Sequence, residues 1–341
     1  MTLEKPTILL SVLVLGCGTL ATEAGDSDAE RPNALAGPFR LLAADEIDGL
    51  DAPYVLKKKF SDFRQPTVLA DDPAVVLGAT TLYALATETG SSAIYRFLAP
   101  DGRSFSETPV PAAPVLVADA TWEGASLDAP EAARIGDEIW LYYSAEGGIG
   151  AARSSDGVSF TKLGAVLSAG GAAWEGGLAP RAPGFVEVAT GDYRLFYEVN
   201  GRIGEARSSD GLVWERLGDA PVLEPAADTV ADPPFDGLGV GDPDALTATS
   251  AEGRRVTRIY YTGKGSDGSS GIGLAARFES EGPLTRAPAP AFASTRLPYA
   301  PAVLPQGSVT LLFVTQGASL NDEWPAVAAG IAPATRRIPL D

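Results

Sequence analysis

Short apolar runs rich in tyrosine, tryptophan, valine and isoleucine recur along this chain, each enclosed by clusters of glycine, proline and aspartate. Such runs predict β-strands, because aromatic and β-branched side chains suit a pleated surface and the enclosing residues suit turns. Five of these runs are preceded, several residues earlier, by a small or acidic residue and a proline. The pairs are Asp72-Pro73, Ala129-Pro130, Ala182-Pro183, Asp242-Pro243 and Ala300-Pro301. The runs themselves cover 81–85, 139–143, 193–197, 258–261 and 309–313.

Successive pairs lie 53 to 60 residues apart. Two further short motifs recur between the pairs, in the same order each time. Ser-Ser-Asp-Gly occurs at 154–157 and 208–211, and Asp-Gly between two strands indicates a tight hairpin. An aromatic residue, an acidic residue and glycine occur together at 122–124, 174–176 and 235–237. A fixed period of this length indicates a repeat whose unit is a small sheet. The sequence therefore predicts an all-β fold, a five-bladed β-propeller of four-stranded antiparallel blades.

Composition limits the chemistry that this protein can perform. The 341 residues carry 44 acidic and 26 basic side chains, a net charge of -18, which argues against a nucleic-acid partner. The absence of histidine excludes Ser-His-Asp triads and histidine-ligated zinc. Carboxylates, tyrosine, lysine and arginine remain. We expect a monomer with a solvated acidic surface and no cofactor.

The N-terminus reads as a targeting segment. Residues 1–16 combine a charged start with an apolar core of signal-peptide length. The run Val14-Leu15-Gly16-Cys17 resembles a bacterial lipobox, in which Cys17 would be lipidated. The other interpretation is ordinary secretion with a chance cysteine. Small acidic residues make 17–37 a flexible tether, and the propeller is expected over 38–341. We expect a lipid-anchored envelope protein, and the glycine after Cys17 resembles an outer-membrane sorting signal.

The order of the repeated phrases resembles the five-bladed propeller glycosidases. That clan contains arabinanases, β-xylosidases and invertases, and the resemblance is to the type of glycoside hydrolase family 43. It covers roughly residues 60–341 and rests on the Asp-Pro and Ala-Pro pairs, the paired tyrosines and the Ser-Asp-Gly turns. It implies a carbohydrate ligand and hydrolysis by two carboxyl groups, one that protonates the leaving oxygen and one that activates water.

The resemblance implies roles for single residues. The base position falls on Asp72, for which the other interpretation is a turn aspartate before a strand. A second carboxylate, which tunes the pKa of the acid, falls on Glu131, with Asp128 close by. The acid position, two residues before the third proline, holds Arg181. A guanidinium does not release a proton at useful pH, so this chain departs from the family there.

Three glutamates, Glu175, Glu187 and Glu198, lie near the missing acid in sequence, and none occupies its position. Asp242 is expected to face the same funnel as Asp72. Arg181 between them either neutralises carboxylates or grips an anionic or hydroxyl-rich ligand. Aspartates around a channel can also hold Ca²⁺ through oxygen ligands, but no known calcium-loop spacing is present, so no metal is predicted.

Trp122 and Trp174 are candidate sugar-stacking platforms, and their repetition favours a structural latch instead. The predicted site therefore has Asp72 and Glu131 as catalytic residues. Its substrate-binding residues are Asp128, Arg181, Asp242, Trp122 and Trp174. One hypothesis is an envelope-anchored, glycoside-hydrolase-like protein that binds and cleaves poly- or oligosaccharides. The alternative is an inactive propeller lipoprotein that binds glycans or a surface partner.

Overall fold

The computed structural model describes a chain built almost entirely of strands. It describes residues 39–41, 55–56, 62–75, 78–88, 91–102, 104–107, 113–227, 234–249, 254–278, 282–306, 309–317 and 324–331. Cys17, the targeting segment and the tether lie outside these residues. Two short 3₁₀ helices, Thr121–Glu123 and Ala173–Glu175, precede strands. No helix within the described ranges is both long and apolar enough to cross a membrane.

The first strand, β1 (Phe39–Leu41), pairs with the last one, far along the chain. The first sheet has the order β2-β6-β5-β4-β3, with β7 also paired to β5. Its strands are β2 (Val55–Leu56), β3 (Asp62–Ala70), β4 (Thr80–Glu88), β5 (Ser91–Ala99), β6 (Ser104–Glu107) and β7 (Pro114–Leu116). The β2–β6 pair is parallel, and the other pairs of this sheet are antiparallel.

The second and third sheets are simple antiparallel meanders. The second contains β8 (Asp128–Ile135), β9 (Glu138–Ala145), β10 (Gly148–Ser154) and β11 (Thr161–Ser168). The third contains β12 (Arg181–Ala189), β13 (Asp192–Val199), β14 (Arg202–Ser208) and β15 (Glu215–Arg216). Ser-Ser-Asp-Gly follows β10 and β14, where Ser154 and Ser208 donate to Asp156 and Asp210 at 2.8 and 2.9 Å. The predicted turns are confirmed.

The fourth and fifth sheets follow the same plan. The fourth contains β16 (Gly239–Thr249), β17 (Arg255–Lys264), β18 (Ser270–Phe278), β19 (Thr285–Arg286) and β20 (Phe292–Ala293). The fifth contains β21 (Tyr299–Gln306), β22 (Val309–Gln316), β23 (Trp324–Ile331) and the N-terminal β1. Three of the five sheets have four strands as predicted, whereas the first has six and the fourth has five. The additional strands are short outer-edge segments, which the apolar pattern does not reveal.

The sheets are arranged as a propeller. The innermost strands β3, β8, β12, β16 and β21 contact one another in ring order, and β21 returns to β3. A hydrophobic cluster fills each junction between consecutive sheets. Each of the five apolar runs of the sequence lies in the second strand of its sheet, which is packed on both faces. Adjacent tyrosines such as Tyr142 and Tyr143 are therefore both fully buried, one in each neighbouring junction.

Candidate functional site at the open end of the propeller axis

Five bulges, one in each innermost strand, surround the axis. In each strand the pairing register shifts at a residue followed by proline. The first residue of each bulge has a left-handed backbone, with φ of 51° at Gln65, 41° at Ala129, 45° at Ala182, 44° at Asp242 and 50° at Ala300. Non-glycine residues rarely adopt this conformation, so the packing of the ring imposes it. The repeated proline pairs thus form the centre of the molecule, where they line one narrow pocket.

The prediction that Asp72-Pro73 is one of these pairs is wrong. The first sheet contributes Gln65-Pro66 to the axis. Asp72 lies in an exposed turn beyond the opposite end of β3, where its Oδ1 accepts a hydrogen bond from Ala74 N–H at 2.9 Å. An extended strand rises about 3.3 Å per residue, so the six residues from Pro66 to Asp72 span roughly 20 Å. The axial position that the resemblance gave to a base therefore holds the amide of Gln65.

The backbone N–H at each bulge is buried and needs an acceptor. Three of them donate to a hydroxyl on the second strand of the preceding sheet. The bonds are Ala182 N to Ser144 Oγ at 2.7 Å, Ala300 N to Thr262 Oγ1 at 2.9 Å and Gln65 N to Thr315 Oγ1 at 2.8 Å. In the first sheet Leu85 stands at that register, and Ala129 N donates instead to Gln65 Oε1 at 3.3 Å. Gln65 thus has a structural role.

The third sheet departs from this pattern. Glu198 pairs across from Arg181, at the register of the serine and threonines, and its carboxylate accepts from Asp242 N–H. The fourth sheet has Gly241 immediately before its bulge, and a Cβ placed there would lie 2.2 Å from Glu198 Oε2. A hydroxyl satisfies the backbone N–H at three of the other bulges, so the longer carboxylate exceeds the structural need. Gly241 leaves the space that it fills.

Arg181 lies among three carboxylates at the open end of the axis. Its side chain is 50% exposed, and its Nε lies 4.0 Å from Glu198 Oε2. Desolvation lowers the pKa of Arg181, but the charges of Glu198, Asp242 and Asp128 outweigh it and the pKa is raised. Of the predicted residues, the structure therefore brings Asp128, Arg181 and Asp242 together and adds Glu198.

Two carboxyl groups at this end, those of Glu198 and Asp128, hold their protons more tightly than usual. Burial raises the pKa of Glu198, and the nearby charge of Asp242 raises it further, against the opposing effect of Arg181 and Lys264. Burial also raises the pKa of Asp128, with Arg181 and Arg64 opposing. A carboxyl group with a raised pKa can donate a proton to a bound ligand nearer to neutral pH.

A cavity of about 470 Å³ opens beside these charges. We call it the mouth pocket, and its lining residues are Gln65, Arg181, Leu238, Asp242, Lys264, Gly265, Gly268, Ser269, Ser270, Leu297, Tyr299 and Gly317. It extends outward from the axis over the fourth and fifth sheets. Its lining combines the charged side chains of Arg181, Asp242 and Lys264 with the side chains of Leu238, Leu297 and Tyr299.

Glu131 lines the narrow pocket at the axis, together with the proline pairs, and also a second cavity. It is 7% exposed and lines a cavity of about 100 Å³, the axial cavity, together with Asp244. Glu131 accepts from Phe185 N–H at 3.1 Å and Thr67 Oγ1 at 3.2 Å, and Asp244 accepts from Val303 N–H at 2.7 Å. Burial raises the pKa of Glu131 well above its usual range, with Asp244 adding to it, and burial raises the pKa of Asp244 to about 7.

Trp122 and Trp174 form part of a repeated latch and do not line the mouth pocket. Each stacks on a tyrosine, Trp122 on Tyr143 and Trp174 on Tyr197, with interplanar angles of 28° and 21°. The acidic residue beside each ring is buried and accepts from that tyrosine and from a cation. The three latches are Glu123 with Tyr143 and Lys162, Glu175 with Tyr197 and Arg216, and Asp236 with Tyr261 and Arg286. The structural interpretation of these phrases holds.

The latch and one surface turn also account for two of the candidate acids. Glu175 accepts both of its latch hydrogen bonds, from Tyr197 and Arg216, at Oε1, while its buried Oε2 has no hydrogen-bond partner among the described residues. Glu187 accepts from Gly191 N–H at 2.9 Å at the exposed end of its hairpin. No group of three or more carboxylate, histidine or cysteine residues that could hold a metal ion occurs in the part of the chain that the structure describes.

Comparisons with known proteins show a likeness of fold. No family model matches the chain, and no curated protein does. Among solved structures, a glycosyl hydrolase from Bacteroides ovatus has a TM-score of 0.61 at 15% identity, covering 79% of this chain and 84% of its own. The β-1,2-mannobiose phosphorylase of Listeria innocua has a TM-score of 0.61 at 13% identity, covering 86% and 97%. The endo-arabinase of Bacteroides thetaiotaomicron has a TM-score of 0.55 at 16% identity, covering 77% and 92%.

Two of the mouth residues were misjudged or set aside from sequence. Gln65 lacks the acidic character that drew attention to Asp72, and only its proline and the length of the following strand could have identified it. Glu198 ends a typical apolar run, where a charged residue usually marks the edge of a strand. A comparison of the four later repeats would have singled it out, because the equivalent residues are Ser144, Thr262 and Thr315.

Proposed function

We propose that this protein binds an oligosaccharide, or the end of a polysaccharide, in the mouth pocket. The observation that carries the proposal is the position of Arg181 among Asp128, Glu198 and Asp242 beside a cavity of about 470 Å³. A guanidinium supplies only donors and a carboxylate supplies acceptors, so together they match the adjacent hydroxyls of a sugar. A cavity of this size is typical of small-molecule sites.

The likeness of fold supports this proposal. The neighbours named above are described as a glycosyl hydrolase, an endo-arabinase and a phosphorylase, the last with β-1,2-mannobiose bound. Their ligands do not transfer to this chain by fold alone. To the likeness of fold this chain adds a pocket at its own propeller axis, with Arg181, Asp242 and Lys264 in its lining.

The resemblance implied hydrolysis by an acidic base residue and a general acid, and this chain lacks both groups at the implied positions. Gln65 occupies the axial position of the base and Arg181 that of the acid, and neither an amide nor a guanidinium exchanges a proton usefully. Binding without cleavage is therefore the main conclusion. Asp72 lies in an exposed turn outside the mouth pocket and takes no part in this function.

Glu198 favours a second candidate function, cleavage of a glycosidic bond. It stands one strand away from the missing acid, with room provided by Gly241 and with a raised pKa. In this scheme Glu198 gives its proton to the glycosidic oxygen as the bond to the anomeric carbon breaks. Asp128 takes a proton from the water that adds to that carbon.

The experiment is a titration of the purified full-length chain against a panel of neutral, acidic and amino-sugar oligosaccharides, with released sugar measured in parallel. We expect saturable binding of at least one oligosaccharide, weakened about tenfold or more by Arg181→Ala, because hydrogen bonds to a charged group are lost. Release of sugar that disappears in Glu198→Gln would establish cleavage. Absence of binding across the whole panel would contradict the proposal.

We also propose the arrangement that surrounds this site. Each of the five sheets is one blade of a five-bladed propeller, as the ring of contacts and five interblade clusters support.

The domain is held at the bacterial envelope, on the outer membrane, by acyl chains on Cys17. Cys17→Ser should move the protein from the membrane fraction to the soluble fraction. A variant that stays in the membrane fraction would refute the anchor.

A further inference from the structure

Part of the lining of the mouth pocket is aliphatic. Leu238 is 66% exposed and Leu297 is 37% exposed, and we call these two residues the aliphatic wall of the cavity. Single exposed apolar side chains are ordinary on a protein surface, but apolar side chains that line one pocket together are typical of ligand-binding grooves.

The backbone around these leucines is held in place. Leu238 N–H donates to Lys264 O at 2.8 Å, and Gly317 N–H donates to Arg296 O at 3.0 Å. Ser270 Oγ donates to Pro298 O at 2.6 Å, which joins the start of β18 to the segment that carries Leu297. These bonds fix the wall before any ligand arrives, so little ordering is needed on binding.

Leu297 is unusual for a local reason as well. Its φ of 49° is left-handed, a conformation that costs a branched residue about 1 kcal/mol and that glycine or asparagine adopts more readily. Its N–H donates to Ser294 O at 3.3 Å, which closes the turn whatever the side chain. Neither the turn nor the core requires a leucine there, and strained residues of this kind concentrate at ligand sites.

We propose that the wall formed by Leu238 and Leu297 binds an aliphatic substituent of the sugar, an O-acetyl group or the methyl group of a 6-deoxy sugar. The inference rests on the proposed carbohydrate function and specifies its substrate class. Flat sugar faces are usually matched by aromatic rings. Leu238 and Leu297 instead offer branched aliphatic side chains to the cavity, which suit a small apolar substituent. Arg181 and Asp242, which line the same cavity, hold the hydroxyl groups.

The test compares matched probes that differ only in the substituent. Acetylated xylo-oligosaccharides are measured against the same material after alkaline deacetylation, and methyl α-L-rhamnoside against methyl α-L-mannoside. The wild-type chain should prefer the substituted member of at least one pair by about fourfold or more, the value for burying one methyl-sized group. Leu238→Asn with Leu297→Asn should reduce that preference to less than about twofold, and asparagine at 297 suits the left-handed backbone.

Val213→Asn is the matched control, since Val213 is 75% exposed outside the mouth pocket and its replacement should leave the preference unchanged. Thermal unfolding checks that each variant is folded. Equal affinity for the members of both pairs overturns the inference while leaving the proposed function intact. Retention of the preference in the leucine double variant, or binding of none of the four probes, also overturns it.

Discussion

The latches and the mouth pocket both pair carboxylates with cationic side chains, but they do so for different purposes. In the first latch, Glu123 is fully buried and accepts four hydrogen bonds, from Tyr143, Lys162 and two backbone N–H groups. At the mouth, Glu198 accepts from one backbone N–H of the described residues, and Arg181 Nε lies 4.0 Å away. The latch recurs in three sheets with its tyrosine and its cation in place each time, whereas Glu198 occurs once and departs from its repeat. In a repeat protein, a contact that recurs indicates structure, and a departure from the repeat indicates a ligand.

The pKa values show the same contrast. Burial alone would raise the pKa of Glu123, but Lys162, the backbone donors and Tyr143 outweigh it and lower the pKa to about 2. For Glu198 the effect of burial is not offset by the neighbouring groups, and the pKa rises. The latch carboxylate therefore stabilises the fold in its charged form, and the mouth carboxylate is available to exchange a proton.

The largest effect is expected from breaking a latch. Glu123→Ala leaves Tyr143 and Lys162 without their buried partner and should lower the free energy of unfolding by about 3–5 kcal/mol. Chemical denaturation measures it. The control is Glu138→Ala, which removes a surface ion pair with Arg153 at 3.3 Å and should cost less than about 1 kcal/mol. Similar losses in the two variants would show that the latch is an ordinary surface pair.

The axial cavity provides the second test. Its carboxyl groups and the latch carboxylate are expected to change the free energy of unfolding in opposite directions as pH rises. The pKa of Asp244 is 3.8 in the unfolded chain and about 7 in the folded protein. The folded state therefore binds more protons than the unfolded state between these two pH values. Its contribution to stability is complete below about pH 4 and is lost as pH rises to 7. Asp244→Asn should therefore be more stable than wild type at pH 8, by roughly 2–4 kcal/mol, and show no gain at pH 4.

Denaturation curves at the two pH values measure this difference. Glu131→Gln should behave in the same direction, because burial and the charge of Asp244 raise its pKa too. The latch predicts the reverse sign, since the lowered pKa of Glu123 gives stability that is present above pH 4.5 and lost as pH falls towards 2. An Asp244→Asn variant that is less stable than wild type at pH 8 would contradict the account of the axial cavity.

Arg181→Ala should affect binding far more than folding. The side chain is half exposed, so its loss should cost less than about 1 kcal/mol of stability. The affinity for an oligosaccharide should fall about tenfold or more, and the pKa values of Asp128 and Glu198 should rise, because Arg181 now lowers both. Calorimetric titration and carboxyl NMR measure these changes. Arg153→Ala, on the exposed part of β10, is the control that should leave affinity unchanged.

The smallest effect is expected at Asp72. Asp72→Asn keeps the short acceptor that caps Ala74 N–H in an exposed turn. Stability should change by less than about 0.5 kcal/mol, and ligand affinity and any release of sugar should match wild type. A large loss of binding or turnover in this variant would place Asp72 back at the mouth and would break the distinction between the axis and the outer turns.

The strand pattern, the turns and the repeat period could all be predicted from the sequence. Each of them depends on residues close along the chain: paired aromatics on a strand buried on both faces, Asp-Gly in tight turns, and proline in every innermost strand. The grouping of Asp128, Arg181 and Asp242 followed from the same period, because equivalent positions of successive repeats meet at the axis. The additional edge strands were missed because two- or three-residue pairings have no distinct apolar pattern.

The sequence by itself determined that this chain forms small antiparallel sheets in a repeated series, and which of its acidic phrases are structural. Only the tertiary structure decided which proline pair of the first repeat faces the axis, and that the carboxylate opposite Arg181 is Glu198. The physical reason is that a proline marks a possible bulge without stating which end of a strand points inward. That direction is set by the packing of five sheets against one another, through contacts between residues from 38 to 250 positions apart.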